Sequence, residues 1–403
     1  MKCSCLQLLT AVWAGLLTVA YPASAQTWTL TSAPHLSWTS MASSSDGSRL
    51  AAVAGTNIYT SGDAGLTWQS NNAPAFSWSS IASSADGTKL AAAASRGPLG
   101  SGGAICISTD SGFTWTLTSA PRTNWSAIAM SADGRMLVAG GKLVAGLPPQ
   151  PAAPMCISTN SGLTWTAIPN APQGTLVSIA SAANGARWVA ALGSVYTSTN
   201  GGVSWIMNNL PISSCTSVAS SADGTRMVAA GTGICTTTNS GATWEMNNLT
   251  PSSAGPLVAS SADGAKLMLT TCGHVYEGGL IYVSTNRGAT WADAGAGSCN
   301  WSAAASSADG CRLVAGVEMP GAGGGDVKIY QVAPAPALNL AAASGKLRLC
   351  WIVPSTNCWL QQCTDLIAGN WSDLADTSTF NFTNLQYQVI ISATNGRAFY
   401  RLH

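Results

Sequence analysis

Six segments of this chain end in the same eight-residue pattern, Ser/Thr-x-Asp/Asn-x-Gly-x-Thr/Ser-Trp, at 61–68, 108–115, 158–165, 198–205, 237–244 and 284–291. Their closing tryptophans, Trp68, Trp115, Trp165, Trp205, Trp244 and Trp291, stand 39 to 50 residues apart. A repeat of that length, rich in turn signals and short apolar runs, holds four short strands and cannot bury its own faces alone. Repeats of this kind close into a β-propeller with one four-stranded blade per repeat.

A second repeated element gives the number of blades. Seven segments resemble Trp78-Ser79-Ser80-Ile81-Ala82-Ser83-Ser84-Ala85-Asp86-Gly87, with turns at Asp46-Gly47, Asp86-Gly87, Asp133-Gly134, Asn184-Gly185, Asp223-Gly224, Asp263-Gly264 and Asp309-Gly310. Asp-Gly and Asn-Gly are preferred two-residue hairpin turns because that turn needs positive φ twice. Seven hairpins against six complete motifs predict one blade split between the chain ends. Thr27-Trp28-Thr29-Leu30 matches Thr114-Trp115-Thr116-Leu117, and Lys328-Ile329-Tyr330-Gln331 matches a strand entering the motif. The N-terminal strand is therefore expected to complete the last blade and remove an exposed edge.

Within a blade, strand a is the Trp-Ser-x-Ile-Ala-Ser segment and strand b follows the Asp-Gly turn. Strands c and d enter and leave the eight-residue motif. Ala and Ser dominate strands a and b, as the crowded centre of a propeller requires. The hairpin turns and motif turns fall on one face. The b–c and d–a loops fall on the other, and that loop face is the expected site, since binding residues gather on loops carried by a rigid scaffold. Cys106, Cys156 and Cys235 share one repeat position with Tyr59, Tyr196, Tyr282 and Tyr330, a substitution pattern of packed core thiols.

Residues 1–25 read as a secretory signal, with Lys2, an apolar run from Leu6 to Ala20 and Ala23-Ser24-Ala25 before the expected cleavage point,. The expected location is secreted or periplasmic. The propeller is expected over 26–332, a Pro/Ala linker over 333–337, and a small β-sandwich over 338–403, the whole being an all-β chain. Charged residues are 8% of the sequence and net charge is +1, without a Lys/Arg cluster. Nucleic acid and membrane insertion are not expected, and the chain is expected to be a monomer.

The eight-residue motif resembles the Asp-box (BNR) hairpin of sialidases, sortilin-type receptors and photosystem II assembly factors. The tail resembles a β-sandwich appended to exported proteins of Verrucomicrobia-like bacteria, through Leu347-Arg348-Leu349-Cys350-Trp351, Trp359-Leu360-Gln361-Gln362-Cys363-Thr364-Asp365-Leu366, Trp371 and Phe399-Tyr400-Arg401-Leu402. In the Asp-box resemblance, Asp63, Asp110, Asn160, Asn200, Asn239 and Asn286 accept amide hydrogen bonds inside their own turns, and the motif tryptophans cover the hairpin base. These are structural roles, and only the two Asp copies would be acidic.

A sialidase-like hydrolase with a divergent site is one alternative function, and a structural or assembly factor is another. Sialidases carry an Arg-Ile-Pro segment, which this chain lacks. Arg49, Arg135, Arg187, Arg226 and Arg312 follow hairpin turns, on the face away from the loops. Of 16 Asp and Glu residues, only Glu277 and Glu318 lie in long loops of adjacent blades as a pair for glycoside hydrolysis. Cys272-Gly273-His274 offers too few ligands for a metal, and no cofactor or metal is expected. The remaining constellation is Trp38, Trp78, Trp125 and Trp301 at the start of strand a in blades 1, 2, 3 and 7, with Arg122, Asn124 and Asn300 before two of them and Arg96 nearby. Such an arc could stack on sugars or grip a peptide, or each Trp could pack between blades. The leading expectation is an exported, non-catalytic propeller that recognises a glycan or protein partner through its loop face.

Overall fold

In the seven hairpin turns only the glycine is left-handed, with φ between 63° and 69°; the Asp or Asn before it is not, so the turn is not the doubly positive two-residue type expected from the dipeptide. The Asp side chain completes the turn: Asp46 Oδ1 accepts the Ser48 amide at 3.0 Å and the Ser44 hydroxyl at 2.6 Å. These turns join strands a and b. In blade 2 the strands are Ser77–Ser83, Leu90–Arg96, Ile105–Ser108 and Thr116–Leu117, paired antiparallel in that order. The structure is a computed structural model that describes 28–141, 155–249, 251, 255–271, 278–318 and 325–331, and then the strands between 338 and 402 given below. The expected signal segment, the linker, Glu277 and His274 lie outside the described residues.

Seven four-stranded sheets repeat this plan around one axis, and strand a of each blade contacts strand a of the next. Blade 7 consists of Trp301–Ser306, Arg312–Val317, Val327–Gln331 and the N-terminal Trp28–Leu30. Trp28 pairs with Tyr330, Thr29 with Ile329 and Leu30 with Lys328. The fold is the all-β, seven-bladed propeller with a shared last blade that the two repeats predict.

Three hydrogen-bond systems hold the turn face. First, the residue before each turn donates its amide to the matching carbonyl of the next blade. The chain of bonds runs Ser45, Ala85, Ala132, Ala183, Ala222, Ala262, Ala308 and back to Ser45, at 2.6 to 2.8 Å. Small side chains at this position let the strands approach the axis that closely. Second, each motif turn is clipped to the hairpin of its own blade; Ala64 N donates to Ser48 O and Ser111 N to Thr88 O. Third, cations reach the next turn: Arg49 to Asp86 O at 2.8 Å, Arg187 to Asp223 O at 2.8 Å and Arg312 to Asp46 O at 2.8 Å. Arg49, Arg187, Arg226 and Arg312 therefore serve the turn face.

The core is seven layers, one between each pair of neighbouring blades. The layer between blades 2 and 3 holds Ala91, Ala93, Ile105, Trp125, Leu137 and Cys156. Cys106, Cys156 and Cys235 are buried thiols without a disulfide partner among the described residues. Burial pushes the thiols of Cys156 and Cys235 up to about 11.

The chain divides into two compact units at Ala333 and Pro334. In the second, Leu338–Ala343, Lys346–Ile352, Gln386–Ser392 and Thr379–Asn381 form one antiparallel sheet, and Ser372–Asp373, Leu360–Cys363 and Phe399–Leu402 another. Leu349 and Val389, paired across central strands, are buried.

Candidate functional site

The eight-residue motif closes on itself. Asp110 Oδ1 accepts the Thr114 amide at 2.9 Å and the Ser108 hydroxyl at 2.8 Å, and Oδ2 accepts the Thr114 hydroxyl at 2.6 Å. The Thr114 hydroxyl, then its amide, hold the Asp110 carboxyl below the usual carboxylate range. Asn160 keeps the first two bonds and reverses the third, donating Nδ2 to Thr164 Oγ1 at 2.8 Å. Asn200, Asn239 and Asn286 do the same. Hence Asp and Asn are equivalent here: each saturates its oxygen inside the turn, and neither is poised for proton transfer. The indoles of Trp68, Trp115, Trp165 and Trp205 donate to the motif glycine carbonyl at 3.0 to 3.1 Å. Trp244 and Trp291 make no such bond.

The four strand-a tryptophans do not form an open arc. Trp38, Trp78, Trp125 and Trp301 are 0 to 3% exposed. Each indole N–H donates to a loop carbonyl: Trp38 to Gly325, Trp78 to Thr56, Trp125 to Pro121 and Trp301 to Gly279, at 3.0 to 3.2 Å. Trp38 lies against Tyr59 and Trp68, Trp78 against Phe76 and Trp115, and Trp301 against Trp28. Each occupies a different inter-blade layer. The physical reason is that strand a has a blade on each side: Leu176 and Cys215, at the same position in blades 4 and 5, are buried as well. The ladder shifts register directly after each of these tryptophans in blades 1, 2, 3 and 7, and strand a of blades 4, 5 and 6 pairs without a shift. The extra residue in blades 2, 3 and 7 is a serine. Ser79 Oγ donates to Trp125 O, Ser126 Oγ to Leu176 O and Ser302 Oγ to Trp38 O, each in the next blade.

On the loop face the remaining candidates separate. Arg96 pairs with Gly102, and Gly103 with Thr123, so the blade 2 b–c loop brings Arg96, Arg122 and Asn124 onto neighbouring segments. Asn300 belongs to blade 7, where its carbonyl accepts the Glu318 amide at 2.9 Å. Arg96 and Arg122 are exposed. The Arg122 guanidinium lies 5.4 Å from the Phe76 ring centroid. The sole short contact of a carboxylate with a basic side chain among the described residues is Asp326 with His35 Nδ1, at 2.6 Å, so neither arginine has a described carboxylate. Asn124 Oδ1 is buried without a hydrogen-bond partner among the described residues.

Sequence reasoning missed Leu99, at the tip of the same loop. It is fully exposed, at 107%, with φ 54° and ψ 28°. Gly97 N donates to Ser101 O at 2.7 Å and Ser101 N to Pro98 O at 3.1 Å, closing the tip beneath it. Gly103 makes the close approach possible: a Cβ there would lie 1.8 Å from Ala94 O. The signal was present as Gly-Pro-Leu-Gly-Ser-Gly-Gly after Arg96, a compact turn with one large side chain.

The class defined by these features is a seven-bladed propeller with structural motif turns on one face and a built loop on the other. No family model matches the chain, and no curated protein sequence does. Among solved structures, it is similar to YCF48 bound to D1 peptide, at 15% identity and TM-score 0.54, covering 79% of this chain and 97% of that one. It is similar also to YCF48 from Cyanidioschyzon merolae, at 14% identity and TM-score 0.53, covering 76% and 98%. At these identities the likeness is one of fold.

Proposed function

We propose that this chain is a non-catalytic propeller that recognises a protein partner through its loop face. The observation that carries this reading is Leu99, a wholly exposed apolar side chain on an internally bonded tip beside Arg96 and Arg122. A leucine in left-handed backbone is strained, and strain of this kind gathers at ligand clamps and switch regions. The peptide bound to the YCF48 neighbour supports a protein partner over a glycan. We further read the motif turns as Asp boxes with a scaffold role, the N-terminal segment as an export signal, and the exported chain as a monomer.

Paired peptide and glycan arrays, probed with the full chain and with a Leu99→Asp, Arg122→Ala variant, test the reading. Peptide binding that the variant loses is the expected result. Binding confined to glycans, or peptide binding equal in both proteins, would overturn it.

A further inference from the structure

If the loop face receives a protein partner, the loop of blade 2 sets a chemistry more specific than recognition alone. Resting on that loop-face reading, we infer that this loop takes an extended polypeptide segment carrying both carboxylates and apolar side chains. Arg96 and Arg122 flank the Gly102–Gly103 segment, through the Arg96–Gly102 and Gly103–Thr123 pairings. Neighbouring segments of a ladder are about 4.8 Å apart, so the two arginine backbones stand about 10 Å apart. The segment between them carries no side chain and packs closely on both neighbours: a Cβ on Gly102 would lie 3.1 Å from the Arg122 carbonyl carbon, and one on Gly103 1.8 Å from Ala94 O. Two exposed arginines and Leu99 therefore stand on closely packed segments of one loop.

Each arginine suits a carboxylate. Guanidinium binds carboxylate through two parallel N–H···O bonds, a geometry lysine cannot offer. Arg122 is held in advance over the Phe76 ring, which lowers the ordering cost of binding. No described carboxylate neutralises either arginine, so both charges are available to a partner.

Leu99 supplies the second half of the chemistry. An acidic polysaccharide would satisfy the arginines but would leave Leu99 in water. A purely apolar peptide would cover Leu99 and desolvate two unpaired cations. A segment alternating acidic and apolar residues meets both demands.

The test uses the full chain and three labelled peptides: an alternating Leu/Asp peptide, its Leu/Asn counterpart and its Leu/Lys counterpart, with polygalacturonate as competitor. Fluorescence anisotropy should show the Leu/Asp peptide binding at least about tenfold tighter than the Leu/Asn peptide, with affinity falling as salt rises. The double variant Arg96→Glu, Arg122→Glu should reverse the preference toward the Leu/Lys peptide. Leu99→Gly should weaken Leu/Asp binding by about tenfold, and its Tm should be equal or higher, because glycine adopts the left-handed conformation without strain. That pairing separates lost contact from lost fold.

Equal affinity for the Leu/Asp and Leu/Asn peptides, an unchanged preference in the double variant, or displacement by polygalacturonate would overturn the inference. Tight binding of the Leu/Asn or Leu/Lys peptide that Leu99→Asp abolishes would overturn it and leave the protein-partner reading standing. No binding of any peptide would overturn both.

Discussion

A tryptophan that begins an innermost strand has a blade on each side, and this decides what Trp38, Trp78, Trp125 and Trp301 can do. Their rings are buried, and burial of one indole removes about 150–250 Å² from water. Trp125→Ala should therefore lower stability by about 3–5 kcal/mol, as read by chemical denaturation. A fully stable variant with a selective binding defect would reinstate the aromatic arc. A second residue-scale expectation concerns acid. Asp110 is held below the usual carboxylate range by Thr114 and Ser108, so its folded pKa is below its unfolded one. Its stabilisation is present above about pH 4 and is lost as pH falls through the folded value. Asp110→Asn, which copies Asn160, should keep the turn and flatten the loss of stability between pH 5 and pH 2, both about the carboxylate range. An unchanged pH dependence in urea titrations would refute this account.

At the scale of the element, the bonds between blades differ in weight. Ser126 Oγ reaches Leu176 O at 2.5 Å in a partly buried setting, whereas the Arg49 bond to Asp86 O is exposed. Blade 3 already dispenses with that cation, since Met136 holds the position of Arg49. Ser126→Ala should cost about 1–2 kcal/mol, and Arg49→Met under about 1 kcal/mol. The reverse order in melting curves would place the inter-blade strength on the turn face. Turns and strands were legible because their signals are local: Asp-Gly fixes a hairpin, and the motif glycine fixes a second turn. The fate of the tryptophans was legible only as one of two readings, because a strand-a pattern does not say whether the indole at its start enters the layer between blades or the loop surface. The Trp-Ser pair of blades 2, 3 and 7 marks the register shift in hindsight, with the serine as its extra residue. The candidate loop site was half legible. Arg96, Arg122 and Asn124 carry a sequence signal, whereas the exposure of Leu99 belongs to a tip closed by Gly97 and Ser101 backbone bonds, which no periodic pattern marks.

The whole molecule depends on closure, and two independent devices provide it. Near the axis, seven amides bond seven carbonyls in a ring from Ser45 through Ala308 and back. At the rim, the N-terminal strand seals blade 7. Trp28 packs on Tyr330 with ring centroids 5.2 Å apart and donates to Ala294 O at 3.1 Å, and Ser32 Oγ continues into blade 1 by donating to Leu66 O at 2.6 Å. The inner ring alone leaves the outer edge of Val327–Gln331 open, and an unpaired edge strand is a template for association. Removing residues 26–32 should therefore lower stability by at least about 3 kcal/mol, the loss expected when a packed aromatic is deleted, and should produce aggregates on size-exclusion chromatography. The inner ring predicts something further: the truncated chain should keep its far-ultraviolet circular dichroism at low temperature, since blades 1 to 6 retain all four strands. Loss of that signal together with the rim would mean that the axial bonds do not hold the ring by themselves. An unchanged melting temperature and an unchanged elution volume would mean that the N-terminal strand is not needed for closure.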